Sequence, residues 1–219
     1  MTINKSQFNL LLAVSLIFSA LFLLFSTQTF ASNITNQNQI QFTNLNDTDI
    51  LSHPAVNTIT QDEMGFIWLG NQNGLNRFDG ISSTIYTHMP GEPNSLASTW
   101  VKKVYVDSEN RLWVLGNGGI SLYLPEIDGF KNFNEIERYK DVLGNIYQTV
   151  LEDERGNLWF GSIDKGITIL DVKTSDFTSL DALNNESILD LFIDNSQNIW
   201  VATEKNGLQV KLKGRDNFQ

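Results

Sequence analysis

Val56-Asn57-Thr58-Ile59-Thr60-Gln61-Asp62-Glu63-Met64-Gly65-Phe66-Ile67-Trp68-Leu69-Gly70 is a strand, a tight turn and a second strand, and it recurs four times. Its tryptophan aligns with Trp113, Trp159 and Trp200, at intervals of 45, 46 and 41 residues. Six residues before each tryptophan stands an aspartate: Asp62, Asp107, Asp153 and Asp194. An aliphatic residue precedes each tryptophan (Ile67, Leu112, Leu158, Ile199), and Gly65, Asn110, Gly156 or Gln197 follows each aspartate by three. Downstream come Gly74-Leu75, Gly119-Ile120, Gly166-Ile167 and Gly207-Leu208, then Ile85, Phe130, Phe177 and Phe218. Self-similarity at a period of about 40–50 residues marks a repeat architecture.

One copy reads as a four-stranded meander. The first strand carries Val56 and Ile59, Val101 and Val104, Tyr147 and Val150, or Ile188 and Leu191, without strict alternation. That pattern is expected of an inner strand covered on both faces. The Asp-x-x-Gly segment turns the chain, because Asx side chains cap turns and glycine tolerates positive φ. The tryptophan strand follows, then a second turn, an alternating third strand and an outer strand opening at the distal aromatic. A lone sheet of this size cannot bury its faces, so the units must stack, and radial stacking gives a propeller. The expected fold is therefore all-β: a β-propeller with four four-stranded blades at about 55–95, 96–140, 141–182 and 183–219.

The first 31 residues are different material. Lys5 is their only charge, an apolar run extends from Leu10 to Phe25, and Thr29-Phe30-Ala31 offers small residues for a signal peptidase. We read 1–31 as a signal peptide cleaved after Ala31; the alternative is an uncleaved anchor, although a spanning helix wants ~20 apolar residues. Residues 40–46, with Phe42-Thr43-Asn44-Leu45, look like an outer strand without its own first three, as ring closure requires. At the other end, Phe218 stands where the outer strand of the fourth blade should begin. The expectation is an open arc, the N-terminal part of a longer propeller.

Composition narrows the function. The chain holds 15 Lys and Arg against 25 Asp and Glu, a net charge of −10, which argues against nucleic acid or an anionic membrane as partner. It has no cysteine, which excludes disulfides and thiolate chemistry, and only two histidines, His53 and His88. No pair of carboxylates is marked out for catalysis, and no metal or cofactor is expected. The aspartates read as turn caps and the tryptophans as filling between blades. His53 and Trp100 precede inner strands, in loops opening on one end of a propeller. The turns with Asn71, Asn73 and Asn117, and those at Ser162 to Lys165 and Thr203 to Asn206, open on the same end. Amides and an aromatic around that opening suit a sugar or another small polar ligand. Arg77, on a third strand, reads as the structural partner of an acidic neighbour.

The stretch from Val56 to Gly70, followed by Asn73-Gly74-Leu75-Asn76-Arg77-Phe78-Asp79-Gly80, resembles the two-component regulator propeller repeat. The resemblance runs over about residues 40–219. It implies a periplasmic sensor region, usually a seven-bladed ring, followed by a membrane helix. It further implies a cytoplasmic histidine kinase, hybrid kinase or diguanylate cyclase output, so that this segment itself is not the enzyme. At about 45 residues per blade, seven blades need about 315 residues. The partners implied are then the missing blades and downstream domains, and a second copy of the chain. A propeller enzyme acting on glycans, or a scaffold mediating dimer contacts, are the alternatives. Leu115 and Ala202 depart from the repeat where Gly70 and Gly161 stand.

Overall fold

The computed structural model describes residues 50–219, so the expected signal peptide and the 40–46 strand lie outside the described residues. Blade one comprises β1 (Val56–Gln61), β2 (Ile67–Asn71), β3 (Gly74–Phe78) and β4 (Ser83–Tyr86). Blade two comprises β5 (Val101–Val106), β6 (Leu112–Gly116), β7 (Gly119–Leu124) and β8 (Gly129–Asn132). Blade three comprises β9 (Tyr147–Glu152), β10 (Leu158–Ser162), β11 (Gly166–Asp171) and β12 (Asp176–Ser179). Blade four has β13 (Ile188–Ile193), β14 (Ile199–Thr203) and β15 (Gly207–Lys211). Each is an antiparallel meander in sequence order. Blade four is three-stranded; in place of a full outer strand, Phe218 bridges to Lys211 and Gln219 exchanges two backbone bonds with Val210.

The aspartate turn is the same device four times. In blade one, Asp62 accepts from the Phe66 amide at 2.9 Å and from the Trp68 indole N–H at 2.8 Å. The indole bond recurs at 2.8 Å from Trp113 to Asp107, 3.0 Å from Trp159 to Asp153 and 2.9 Å from Trp200 to Asp194. One carboxylate thus closes the turn and fixes the ring. At the left-handed position of the turn stand Gly65 (φ 88), Asn110 (φ 60), Gly156 (φ 83) and Gln197 (φ 64). Donation from the Trp200 indole comes first among the bonds that hold Asp194 down to about 2.

Three apolar clusters fill the spaces between four blades. Trp68 and Leu75 of blade one meet Val101, Val104, Leu112 and Val114 of blade two. Trp113, Leu115 and Ile120 meet Tyr147, Val150, Leu158 and Phe160 of blade three. Trp159 and Ile167 meet Ile188, Leu191 and Val201 of blade four. Covering of inner strands on both faces therefore holds for β5 and β9 but not for the end blades. Ile59 of β1 is 67% exposed and Phe192 of β13 is 63% exposed.

Side-chain latches of one pattern add to two of these three interfaces. Asn57 donates to the Val101 carbonyl at 2.9 Å, and the Val104 amide donates to Thr58 Oγ1 at 3.1 Å. Gln148 donates to the Ile188 carbonyl at 2.8 Å, and the Leu191 amide donates to Thr149 Oγ1 at 3.2 Å. Gly70 and Gly161 lie beneath these latches. A Cβ on Gly70 would sit 2.5 Å from Val101 Cγ1, and one on Gly161 2.7 Å from Ile188 Cγ2. Blades two and three meet instead through rings, Trp113 being 5.6 Å from Phe160 and Phe133 5.0 Å from Phe177, and through the Ser108 amide, which donates to Glu152 at 2.8 Å.

Candidate functional site

The meander places the loops before the inner strands, and the turns after the tryptophan strands, at one end of the blades. In blade one this end is a closed knot. Asn71 is fully buried. Its Oδ1 accepts from the Asn73 amide at 2.8 Å, and its Nδ2 donates to Ser52 Oγ at 2.9 Å and to Asn76 Oδ1 at 3.1 Å. A buried amide bonded on both sides has nothing left to offer a ligand, so Asn71 stands in the scaffold rather than on the surface expected of it. Asn73 is exposed and donates to the Ser52 carbonyl at 3.2 Å. His53 is half-buried, and its Nδ1 accepts from the Ala55 amide at 3.1 Å.

In blade two the two candidates do meet. The Asn117 amide donates to the Trp100 carbonyl at 3.2 Å, and both residues line one narrow crevice. The Trp100 ring is 42% exposed, with the Lys102 ammonium 5.5 Å from its centre. Asn117 Oδ1 is buried and has no hydrogen-bond partner among the described residues. No hydrogen bond joins this pair to His53, Asn71 or Asn73 among the described residues.

The same end continues into blade three through the Gly118 amide, which donates to the Asn145 carbonyl at 2.7 Å. Here Asn134, Lys140, Asn145, Asp164, Lys165 and Asn185 line an open polar cleft of about 240 Å³. Asp164 organises it, accepting from Ser162 Oγ at 2.6 Å, the Asn145 amide at 2.9 Å and Asn145 Nδ2 at 3.0 Å. Burial pushes the Asp164 carboxyl up, but the bonds from Ser162 and Asn145 outweigh it and hold the group below its usual range. An ionised, donor-saturated carboxylate orients neighbours and does not give up a proton at neutral pH. The cleft thus combines amides, two ammonium groups and a fixed carboxylate, suited to hydrogen-bonding a hydroxyl-rich molecule. Sequence reasoning placed the 162–165 turn on this end but missed Asn134, Lys140, Asn145 and Asn185. The one available signal was Ser162-x-Asp164 after a tryptophan strand, a turn that ties its own backbone.

At the opposite end, Arg77 Nη1 donates to Tyr123 Oη at 2.7 Å and pairs with Asp128 at 3.0 Å, the structural role expected of it. Tyr86 and Tyr123 both donate to Asp128 at 2.6 Å. Burial, then the bond to Asp128, pushes the Tyr86 hydroxyl well above its usual value. No group of three or more His, Asp or Glu is placed to hold a metal among the described residues.

Comparison with known proteins agrees with the fold. The two-component regulator propeller model matches residues 142–164 and 182–205. Histidine kinase P4 from Formosa agariphila is 35% identical over 75 residues, 34% of this chain and 5% of that protein. An extracellular domain from B. thetaiotaomicron, assigned to the hybrid two-component system BT3049, superimposes with a TM-score of 0.68 at 22% identity. That match covers 78% of this chain and 25% of the other. A catalytically inactive virginiamycin B lyase from Staphylococcus aureus shares the fold at a TM-score of 0.57 and 17% identity, over 77% of this chain and 56% of that one. The chain spans a quarter of the BT3049 domain and a twentieth of the curated kinase. The described residues are propeller blades, and the stretches that the two-component regulator propeller model matches lie in the third and fourth of them and in the connections before their inner strands.

Proposed function

We propose that this propeller is the extracytoplasmic sensing region of a two-component-type signalling protein, exported to the periplasm and anchored in the inner membrane in its full-length form. It receives a small polar ligand, such as a sugar, on the loop end, and its own chemistry is not catalytic. The open cleft of blade three carries this reading, because its polar groups converge on solvent and its one carboxylate is already filled by hydrogen bonds. Trp100 and Asn117 extend that surface over blade two, and Asn73 over blade one. The relatives are several times longer than this chain, which supports further blades and downstream domains as its partners, with a second copy joining on signalling.

The test is a panel of neutral and acidic mono- and disaccharides against the full chain, followed by nuclear magnetic resonance. A recognised sugar is expected to shift the amide signals of Asn145, Lys165 and Asn185. Lys165→Ala and Asn185→Ala are each expected to weaken it by about tenfold, as loss of one charged or neutral hydrogen bond does. Turnover of any sugar in the panel would overturn the non-catalytic reading. Shifts confined to other surfaces would overturn the placement.

A further inference from the structure

Trp68, Trp113, Trp159 and Trp200 each give their indole N–H to an aspartate of their own blade. Trp100, the fifth tryptophan, stands outside that device. It lies just before β5 on the loop end of blade two and is 42% exposed. Its backbone amide donates to Ser98 Oγ at 3.2 Å, while its indole N–H meets no acceptor among the described residues. A large amphipathic ring left at the surface with its donor free has packing and hydrogen bonding still to offer.

Beside it, Lys102 departs from the repeat. The same place on the inner strand is Asn57 in blade one and Gln148 in blade three, and each of those is spent on a carbonyl of the next blade, Val101 or Ile188. Lys102 makes no such bond and takes no part in the ion pairs of the described residues. Its ammonium stays 5.5 Å from the Trp100 ring centre. Next to the ring is a crevice of about 10 Å³, lined by Leu96, Ser98, Gly116 and Asn117 among others, with no carboxylate in its wall. That is room for one water or one hydroxyl group. Asn117 Oδ1, buried and filled by no group of the described residues, is an acceptor this wall can offer. In a chain of net charge −10, the charge of Lys102 thus stands unopposed beside an open aromatic ring.

We infer, resting on the sensing reading above, that the ligand is an acidic sugar, a pyranose bearing a carboxylate, and that its charge is recognised on blade two. The apolar face of the pyranose packs on Trp100, the carboxylate meets the Lys102 ammonium, and one hydroxyl donates to Asn117 Oδ1. The lysines of the neighbouring cleft are not equivalent to Lys102. Lys140 is paired with Glu137, and Lys165 is held by the Asp141 carbonyl.

The probes are methyl β-D-glucuronide and its neutral counterpart methyl β-D-glucoside, titrated into the full chain and followed by nuclear magnetic resonance. The glucuronide is expected to shift the Trp100 indole N–H and the Asn117 side-chain amide. It should bind about fivefold tighter than the glucoside, the scale of one partly exposed charge contact, and the preference should fade as salt is raised. Lys102→Met keeps an unbranched side chain on the strand and is expected to bring the two sugars to equal affinity. Equal affinity in the parent chain, a preference that survives Lys102→Met, or no saturable binding of the glucuronide would overturn the inference. Shifts confined to Asn145, Lys165 and Asn185 would also overturn it, while leaving the sensing reading intact. Turnover of either sugar would sink the non-catalytic reading and leave the charge preference in place.

Discussion

Asp107 has no exposed side-chain surface and accepts four hydrogen bonds: from the Glu109 and Arg111 amides, the Arg111 guanidinium and the Trp113 indole. Asp107→Ala removes the only acceptor of a buried indole N–H and half the pairing of an arginine. It is expected to lower the unfolding free energy by about 3 kcal/mol, measured by urea denaturation. In a double-mutant cycle with Trp113→Phe, the two losses should fall short of additive by about 1 kcal/mol, because each variant breaks the same bond. Additive losses would mean that the aspartate serves the turn alone. The spacing of these two residues was plain in the sequence, and so was the turn. The bond between them was not, because a residue pattern shows which groups recur and not which way a side chain leans. Asn71 misled for the same reason. A turn asparagine reads as surface until Ser52, from the approach to β1, and Asn76, from the facing strand of its own hairpin, are seen to enclose it.

Each element tells how well its residues suit the conformation the repeat imposes. The aspartate turns need one left-handed residue; two blades supply glycine, one asparagine, and blade four supplies Gln197 at φ 64. A glutamine there carries a Cβ in contact with its own carbonyl, at a cost of roughly 1–2 kcal/mol. Gln197→Gly relieves that strain while giving the unfolded chain more freedom. The net expectation is a gain of about 0.5–1 kcal/mol and a higher melting temperature by calorimetry. Loss of stability would show that the Gln197 side chain contributes more than its backbone costs. Strand order was legible throughout, from β1 to β15, since the period of the repeat dictates it. The fourth strand of blade four was expected to begin at Phe218, and the bridge from Phe218 to Lys211 lies there. What the sequence could not show was which strands would be covered on both faces, because covering belongs to the neighbouring blade.

Across the whole set of blades, stability is a sum over interfaces between neighbours. Three are filled, and two faces remain outward. Blade four turns Phe192 and Leu208 to solvent, each 63% exposed, beside the partly exposed Trp200. Contiguous apolar surface of this kind drives association, at roughly 25 cal/mol for each Å² covered. The chain is expected to self-associate at micromolar concentration in sedimentation velocity. The double variant Phe192→Ser, Leu208→Ser should move it toward monomer without lowering its melting temperature. A monomeric parent chain would mean that the outward face is not a contact surface. The candidate cleft of blade three was the least legible feature of all. It draws Asn134 from the end of one blade, Lys140 and Asn145 from a connection, Asp164 from a turn and Asn185 from the approach to the next blade. No local pattern relates residues so far apart, whereas Trp100 and Asn117 each sit at a fixed place in one repeat.

The latches between blades alternate along the chain. Thr58, Gly70 and Val101 at the first interface have the same roles as Thr149, Gly161 and Ile188 at the third, down to the amide of Asn57 or Gln148 reaching across. The second interface has none of them: Lys103 stands where the threonine would be and Leu115 where the glycine would be. The first and third seams are thus tied by polar bonds over a glycine, and the second is held by packed rings.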